Sequence, residues 1–325
     1  MGFIILLTTV FLGIGLVGGC SQKQTTIVQP EAVEEVKKKL ERQDIAEKMA
    51  GYAHPEALIS AYALNEIISA PDTLIIDTRG STYRIYQNTY PKGHIPGATA
   101  ILQSLYCHPD YPGRIAPPLQ LQNTLGESGA GSNTKIILYG DQGLQTRLYW
   151  AIKMYGYDNV RILDGGLDNW QGSGYEISTT VSRPKRAVFE FDLTKLKADL
   201  MYATIRDVAA AAGNNNCVVI DARTSDEYAK GHIPGSVNIP WSSVFNKDMT
   251  FKPAPSLTSL FASKNVTQDK KIIVYCNNGV QCTMIWFTLS ELLGYPDVKS
   301  YDGSFNEWQQ NGKPVAQQSA SSPQI

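Results

Sequence analysis

The sequence predicts two α/β domains in tandem, each a parallel sheet flanked by helices. Three observations predict this. The chain has 325 residues, and a typical domain takes about 150. A whole block recurs: Lys135-Ile136-Ile137-Leu138-Tyr139-Gly140-Asp141-Gln142-Gly143-Leu144-Gln145 aligns without gaps to Lys271-Ile272-Ile273-Val274-Tyr275-Cys276-Asn277-Asn278-Gly279-Val280-Gln281, with Trp150 and Trp286 in the same register. Short apolar runs (Leu74 to Ile76, Ile136 to Tyr139, Val218 to Ile220, Ile272 to Tyr275) alternate with longer amphipathic stretches such as Met284 to Leu293, which Gly294 closes. That alternation is the pattern of buried parallel strands covered by helices.

The chain opens differently. Phe3 to Val17 is an almost unbroken apolar run of 15 residues, short for a membrane span of about 20 but suited to a signal-peptide core. It ends at Val17-Gly18-Gly19-Cys20, small residues before a cysteine, which resembles a bacterial lipoprotein box. The expected reading is a signal over 1–20, lipidation of Cys20 and a membrane-anchored protein of the bacterial cell envelope on its periplasmic face. Ser21 after the cysteine favours the outer membrane. An ordinary signal peptide or a short anchor is the alternative, because no Lys or Arg precedes the apolar run. Residues 21–50 read as a polar tether followed by a solvated helical spacer, with Val33, Val36, Leu40 and Ile45 at helical spacing.

Three more segments recur between 51–176 and 200–312. Asp77-Thr78-Arg79 matches Asp221-Ala222-Arg223, Gly93-His94-Ile95-Pro96-Gly97 matches Gly231-His232-Ile233-Pro234-Gly235, and Asp164-Gly165-Gly166 matches Asp302-Gly303-Ser304. The offset of about 140 residues is far longer than a solenoid period, so whole domains repeat. Residues 177–199 read as a linker. Residues 313–325, rich in Gln and Ser from Gln317, read as a disordered tail.

Composition narrows the function. Hydrophobic residues are 43% and charged residues 18%, ordinary for a globular chain. Lys+Arg is 29 against Asp+Glu 30, which leaves no basic footprint for nucleic acid. Five cysteines and four histidines show no C-x-x-C and no zinc-ligand spacing, so no metal and no cofactor is expected.

Cys276 carries the chemistry. Ligands of open α/β sheets bind at the carboxyl ends of the strands, and Cys276 directly follows the apolar run Ile272-Ile273-Val274-Tyr275. Asn277, Asn278, Gly279, Val280 and Gln281 then form a short loop feeding a helix that starts near Cys282 or Thr283. Backbone N–H groups at such a helix start favour an anion, which turns a thiol into a nucleophilic thiolate. Gly279 lets the loop curl around the sulfur. A buried, inert thiol is the alternative for a cysteine after a strand.

The recurring segments resemble those of rhodanese domains. Asp221-Ala222-Arg223, Glu227-Tyr228 and Gly231 to Pro240 resemble the family signature, Cys276 to Gln281 its active loop, and Tyr301 to Trp308 its closing motif. The likeness spans about residues 51–312 and is nearest to tandem thiosulfate and 3-mercaptopyruvate sulfurtransferases. It implies sulfur transfer from a small anionic donor, through a Cys276 persulfide, to a thiol or cyanide-like acceptor, with an inactive first domain. Gly140 stands where Cys276 stands, which fits that implication. The resemblance also implies that Arg223 binds the donor, with Asp221 and Glu227 as structural support; a structural ion pair with either carboxylate is the alternative for Arg223. The loop departs from the family in carrying neutral Asn277, Asn278 and Gln281 where many thiosulfate-using loops carry Arg or Lys, and the short segment between Arg223 and His232 lacks the insertion that supplies a second arginine in mercaptopyruvate enzymes.

Other residues admit two readings. Cys107 is an ordinary loop cysteine or a partner for Cys276, Cys282 is packing or redox-active, and His232 belongs to a turn found in both copies. A sulfur- or selenium-carrier for an envelope partner is the second functional class. A phosphatase or arsenate reductase of related fold needs Cys-x5-Arg, and here position six after Cys276 is Cys282.

Overall fold

The computed structural model describes residues 30–111, 113–211 and 213–317. The apolar leader, Cys20 and residues 318–325 lie outside the described residues. The chain divides into two compact units, 1–41 and 42–325, and the boundary falls inside a helix, Pro30–Ala50. In the first unit the described side chains from Glu35 to Glu41 are exposed, Val36 and Leu40 included. In the second unit the last turn of that helix is not solvated as the spacer reading expected. Lys48 Nζ lies 2.6 Å from the buried Asp164 carboxylate, and the Tyr52 hydroxyl donates to the Lys252 carbonyl at 3.0 Å.

Two five-stranded sheets build the rest. The first contains β1 (Leu58–Ile59), β2 (Thr73–Asp77), β3 (Thr99–Ala100), β4 (Lys135–Tyr139) and β5 (Val160–Leu163), in the order β1-β5-β4-β2-β3. The second contains β6 (Tyr202–Ala203), β7 (Cys217–Asp221), β8 (Val237–Asn238), β9 (Lys271–Tyr275) and β10 (Val298–Tyr301), in the order β6-β10-β9-β7-β8. Every strand pair is parallel, and Ile76 pairs Leu138 as Ile220 pairs Val274. The four apolar runs that signalled strands all lie in central strands, whose inner residues are buried because helices cover both faces.

One hydrophobic cluster joins the two copies. Helix Leu144–Met154 is buried nearly all round, which a helix on a single sheet would not be. It packs against helix Cys282–Phe287, whose side chains are all buried. Tyr149 meets Phe287 edge-on with ring centroids 5.0 Å apart, and the Thr146 and Thr283 hydroxyls hydrogen-bond at 2.8 Å. The outer face of each sheet carries its own smaller core.

Each copy is closed by the segment that follows it. His94 pairs with Ser178 through backbone hydrogen bonds of 2.9 and 2.8 Å, and His232 pairs with Ala316 through two of 2.9 Å. The expected linker is therefore packed. Phe189 and Phe191 are buried against Tyr157 and Tyr155, while the intervening Glu190 is exposed. The tail expected to be disordered from 313 is ordered to 317, because its backbone completes this pairing.

Candidate active site

Strands β9 and β7 are neighbours, and the chain leaves them for opposite sides of the second sheet, to β10 and to β8, so their carboxyl ends flank the crevice where such sheets bind ligands. Cys276 is the first residue past β9 and is fully buried. Its N–H donates to Ser304 Oγ at 3.2 Å, and its carbonyl accepts from the Phe305 N–H at 3.0 Å. The loop turns back at Gly279, with φ +79°, into helix Cys282–Phe287. That curl brings the N–H groups of Asn278 and Cys282, and the Cys282 thiol, onto Cys276 Sγ as hydrogen-bond donors. Burial pushes the Cys276 thiol up. These donors and the Arg147 charge outweigh burial and bring it down to about 6. Cys276 is a thiolate at neutral pH, whereas burial and the adjacent Cys276 sulfur hold Cys282 far above its ordinary range.

The cation comes from the other copy. Arg147, on helix Leu144–Met154, is almost fully buried, and its Nη1 donates to the Gly279 carbonyl at 2.7 Å. Its Nη2 donates to the Gly113 carbonyl at 3.0 Å and is ion-paired with Asp302. The same Asp302 accepts from the Ile115 N–H at 3.1 Å. Arg114 is ion-paired with Glu307 and donates to the Tyr202 hydroxyl at 2.8 Å. The first copy thus walls the loop and supplies its charge.

Arg223 makes the ion pair with Asp221 that was the alternative reading. Its Nε donates to both Asp221 oxygens at 3.0 and 3.1 Å, and its Nη2 donates to Asp221 at 2.6 Å and to the Gly231 carbonyl at 2.7 Å. The guanidinium stacks on Phe305, 3.9 Å from the ring centroid, and the residue is 3% exposed. Arg79 makes the same bonds to Asp77 and Gly93 in the copy without a cysteine. In both copies Nε and Nη2 are thus held by the framework of their own domain. Glu227 does reach the loop: it accepts from Asn277 Nδ2 at 2.8 Å while capping its own helix through Thr224. Burial raises its carboxyl, but the Asn277 and Thr224 hydrogen bonds win and hold it low. His232 stacks on Tyr228 at 3.8 Å and hydrogen-bonds the Tyr228 carbonyl.

Sequence reasoning missed Arg147 and Ser304. Ser304 is a non-glycine residue at φ +54°, where the first copy has Gly166 at φ +58°. Such a conformation costs a serine on the order of 1 kcal/mol, and here it holds the hydroxyl under the Cys276 backbone. The replacement of Gly166 by Ser304 in the repeat was the available signal. For Arg147 the signal was a charge directly before the apolar run Leu148 to Ile152, aligned with Thr283. In the first copy the corresponding pocket is filled: a Cβ on Gly140 would lie 2.0 Å from Thr78 Oγ1, where the second copy has Ala222.

Comparisons with known proteins agree with the two-domain fold. The family described as "Rhodanese-like domain" matches residues 60–173 and 204–311. A protein of Mycolicibacterium smegmatis named "Putative thiosulfate sulfurtransferase" is 31% identical over 79% of this chain and 95% of its own length. The "Sulfur carrier protein TtuD" of Thermus thermophilus is 32% identical over the same shares. Among solved structures, the 3-mercaptopyruvate sulfotransferase SseA of Escherichia coli superposes with a TM-score of 0.68 at 27% identity, covering 77% of this chain and 98% of its own.

Proposed function

The chain belongs to the rhodanese family, and on that premise we propose that it is a sulfurtransferase working through a Cys276 persulfide. The observation that carries this reading is the convergence of two backbone N–H groups, a thiol donor and the Arg147 charge on the buried Cys276 sulfur, bringing it down to about 6. With thiosulfate, the Cys276 thiolate attacks the outer, sulfane sulfur. The S–S bond of the donor breaks, sulfite leaves with the electron pair, and Cys276 holds the transferred sulfur as a persulfide anion. An acceptor thiolate or cyanide then attacks the terminal sulfur and returns the Cys276 thiolate. The donor's negative charge is met by the loop N–H groups and by Arg147 behind Gly279. The name of the M. smegmatis relative supports thiosulfate, and the Escherichia coli neighbour supports 3-mercaptopyruvate as the second donor to try. Intact-protein mass after incubation with each donor should show one added sulfur atom, absent in Cys276→Ser. Equal labelling of the Ser variant overturns the assignment.

A carrier role is the second reading. It is supported by the name of the Thermus thermophilus relative and by a loop with no charged side chain of its own. Slow cyanolysis with small donors, combined with rapid delivery from the loaded chain to a protein thiol, favours it.

The same proposal places the protein on the cell envelope through a lipidated Cys20, supported by Val17-Gly18-Gly19-Cys20 after the apolar run. Cys20→Ala should release the chain from membranes or block its maturation. An unchanged membrane fraction and an unchanged mass count against the anchor.

A further inference from the structure

Two thiols share the site, and the sulfur-transfer reading uses only one. Cys276 and Cys282 are both fully buried at the two ends of one loop, with Cys282 Sγ 3.5 Å from Ser300 Oγ and Cys276 Sγ 4.0 Å from Ser304 Oγ. The first copy has Gly140 and Thr146 at the matching positions, so the pair is peculiar to the copy with the nucleophile. Only five residues separate the two cysteines, and the loop between them already curls through Gly279 so that the Cys282 N–H also reaches Cys276 Sγ. No long loop has to close for the sulfurs to meet. Cys107 offers no such approach: it pairs through its backbone with Ile115 in the wall from the first copy.

We propose that Cys282 is a resolving thiol, which discharges the Cys276 persulfide as hydrosulfide when no acceptor arrives and leaves a Cys276–Cys282 disulfide. This inference rests on the persulfide reading above. The step balances without another reactant. Cys282 Sγ attacks Cys276 Sγ, the inner sulfur of the persulfide. The S–S bond to the terminal sulfur breaks, and the pair of electrons leaves with that sulfur. The Cys282 proton passes to it, giving HS⁻. The sulfane sulfur is reduced by two electrons, and the two cysteine thiols are oxidised to the disulfide. An external dithiol reopens the disulfide by ordinary exchange. Attack on the terminal sulfur instead would only move the persulfide to Cys282.

The geometry also sets the order of events. While Cys276 is a thiolate its negative charge keeps Cys282 protonated and inert. Persulfidation moves that charge one atom outward and makes Cys276 Sγ electrophilic. The resolving thiol is thus armed by the product it discharges. An S–S bond of about 2.05 Å needs both side chains to turn from hydrogen-bond contact toward each other, and Cys282 gives up its Ser300 contact to do so.

The test loads the full chain with thiosulfate, or with inorganic polysulfide, removes the donor and follows sulfide release and intact mass without added thiol. The wild-type chain should gain one sulfur atom, then release one equivalent of sulfide and end two hydrogens lighter than the reduced chain, with a Cys276–Cys282 cross-link by peptide mapping. In Cys282→Ser, whatever fraction of the chain is loaded should hold its persulfide at least tenfold longer per loaded molecule, with no cross-link. A persulfide equally long-lived in both chains, or a cross-link to Cys107, overturns the inference and leaves the sulfur-transfer reading standing. Failure of both chains to take up sulfur from either donor overturns the persulfide reading and this inference with it.

Discussion

A thiol becomes a nucleophile here because its anion is better solvated by the protein than the desolvation of burial is costly. That balance depends on one charge from another domain, and it makes two residue-scale predictions. The Cys276 sulfur should titrate near about 6 in the folded chain, against 9.0 for an ordinary thiol. The group's pKa is lowered by folding, so its contribution to stability is present above 9.0 and is lost as pH falls through about 6. Denaturant unfolding of the native chain and of Cys276→Ser across that window should therefore converge toward low pH. Arg147→Met should raise the thiolate midpoint, read from thiolate ultraviolet absorbance. It should also cost about 3–5 kcal/mol, because it strands Asp302 in the interior. An unshifted midpoint in a folded variant refutes the role of Arg147. Arg223 supplies the contrast. Its Nε and Nη2 are held by Asp221 and Gly231, so Arg223→Ala should lower the melting temperature strongly and leave the Cys276 midpoint within experimental error. A large loss of kcat/KM in a variant of unchanged stability would restore it to the donor site.

At the scale of the element, the loop Asn277–Gln281 works because its path is over-determined. A Cβ at Gly279 would lie 2.5 Å from the Asp302 carbonyl oxygen and 2.6 Å from Arg147 Nη1, at φ +79°. Gly279→Ala should therefore shift the loop and weaken the N–H cradle. A displacement of about 1 Å in a reacting group costs roughly 100-fold in rate, so a loss of that order in sulfur transfer is expected, with far-ultraviolet circular dichroism unchanged. Wild-type turnover in the alanine variant would show that the curl is not needed. The sequence signalled this loop through its place after an apolar run and through the glycine. It did not signal that Glu227 clamps Asn277, because that contact joins residues 50 positions apart.

On the scale of the whole molecule, the first copy has lost its cysteine and kept its docking face. Helices Leu144–Met154 and Cys282–Phe287 bury each other, and Gly113 and Arg114 close over the second copy's loop. Expressed alone, residues 200–325 should expose the apolar Cys282–Phe287 face, associate or unfold, and lack a low-titrating thiol. Addition of residues 42–199 in trans should restore the thiolate. A monomeric second domain with full sulfur transfer would contradict this division of labour.

The sequence by itself determined the repeat, the parallel α/β class, the four central strands and the place of Cys276 directly after one of them. Each of these is written in local apolar periodicity, turn residues or self-similarity, which act over a few residues and leave a local trace. The packing of Phe189 and Phe191 was missed in the sequence, which read 177–199 as a linker, because the tyrosines they meet lie more than 30 residues away. Only the tertiary structure decided which arginine serves the sulfur and which is consumed by the framework. Arg223 and Arg147 are equally good cations in the sequence. Asp221 stands two residues from Arg223 and claims it, whereas Gly279 lies 132 residues from Arg147 and meets it only after two domains dock. Charge acts through space, so the partner of a buried ion is fixed by packing and not by spacing along the chain.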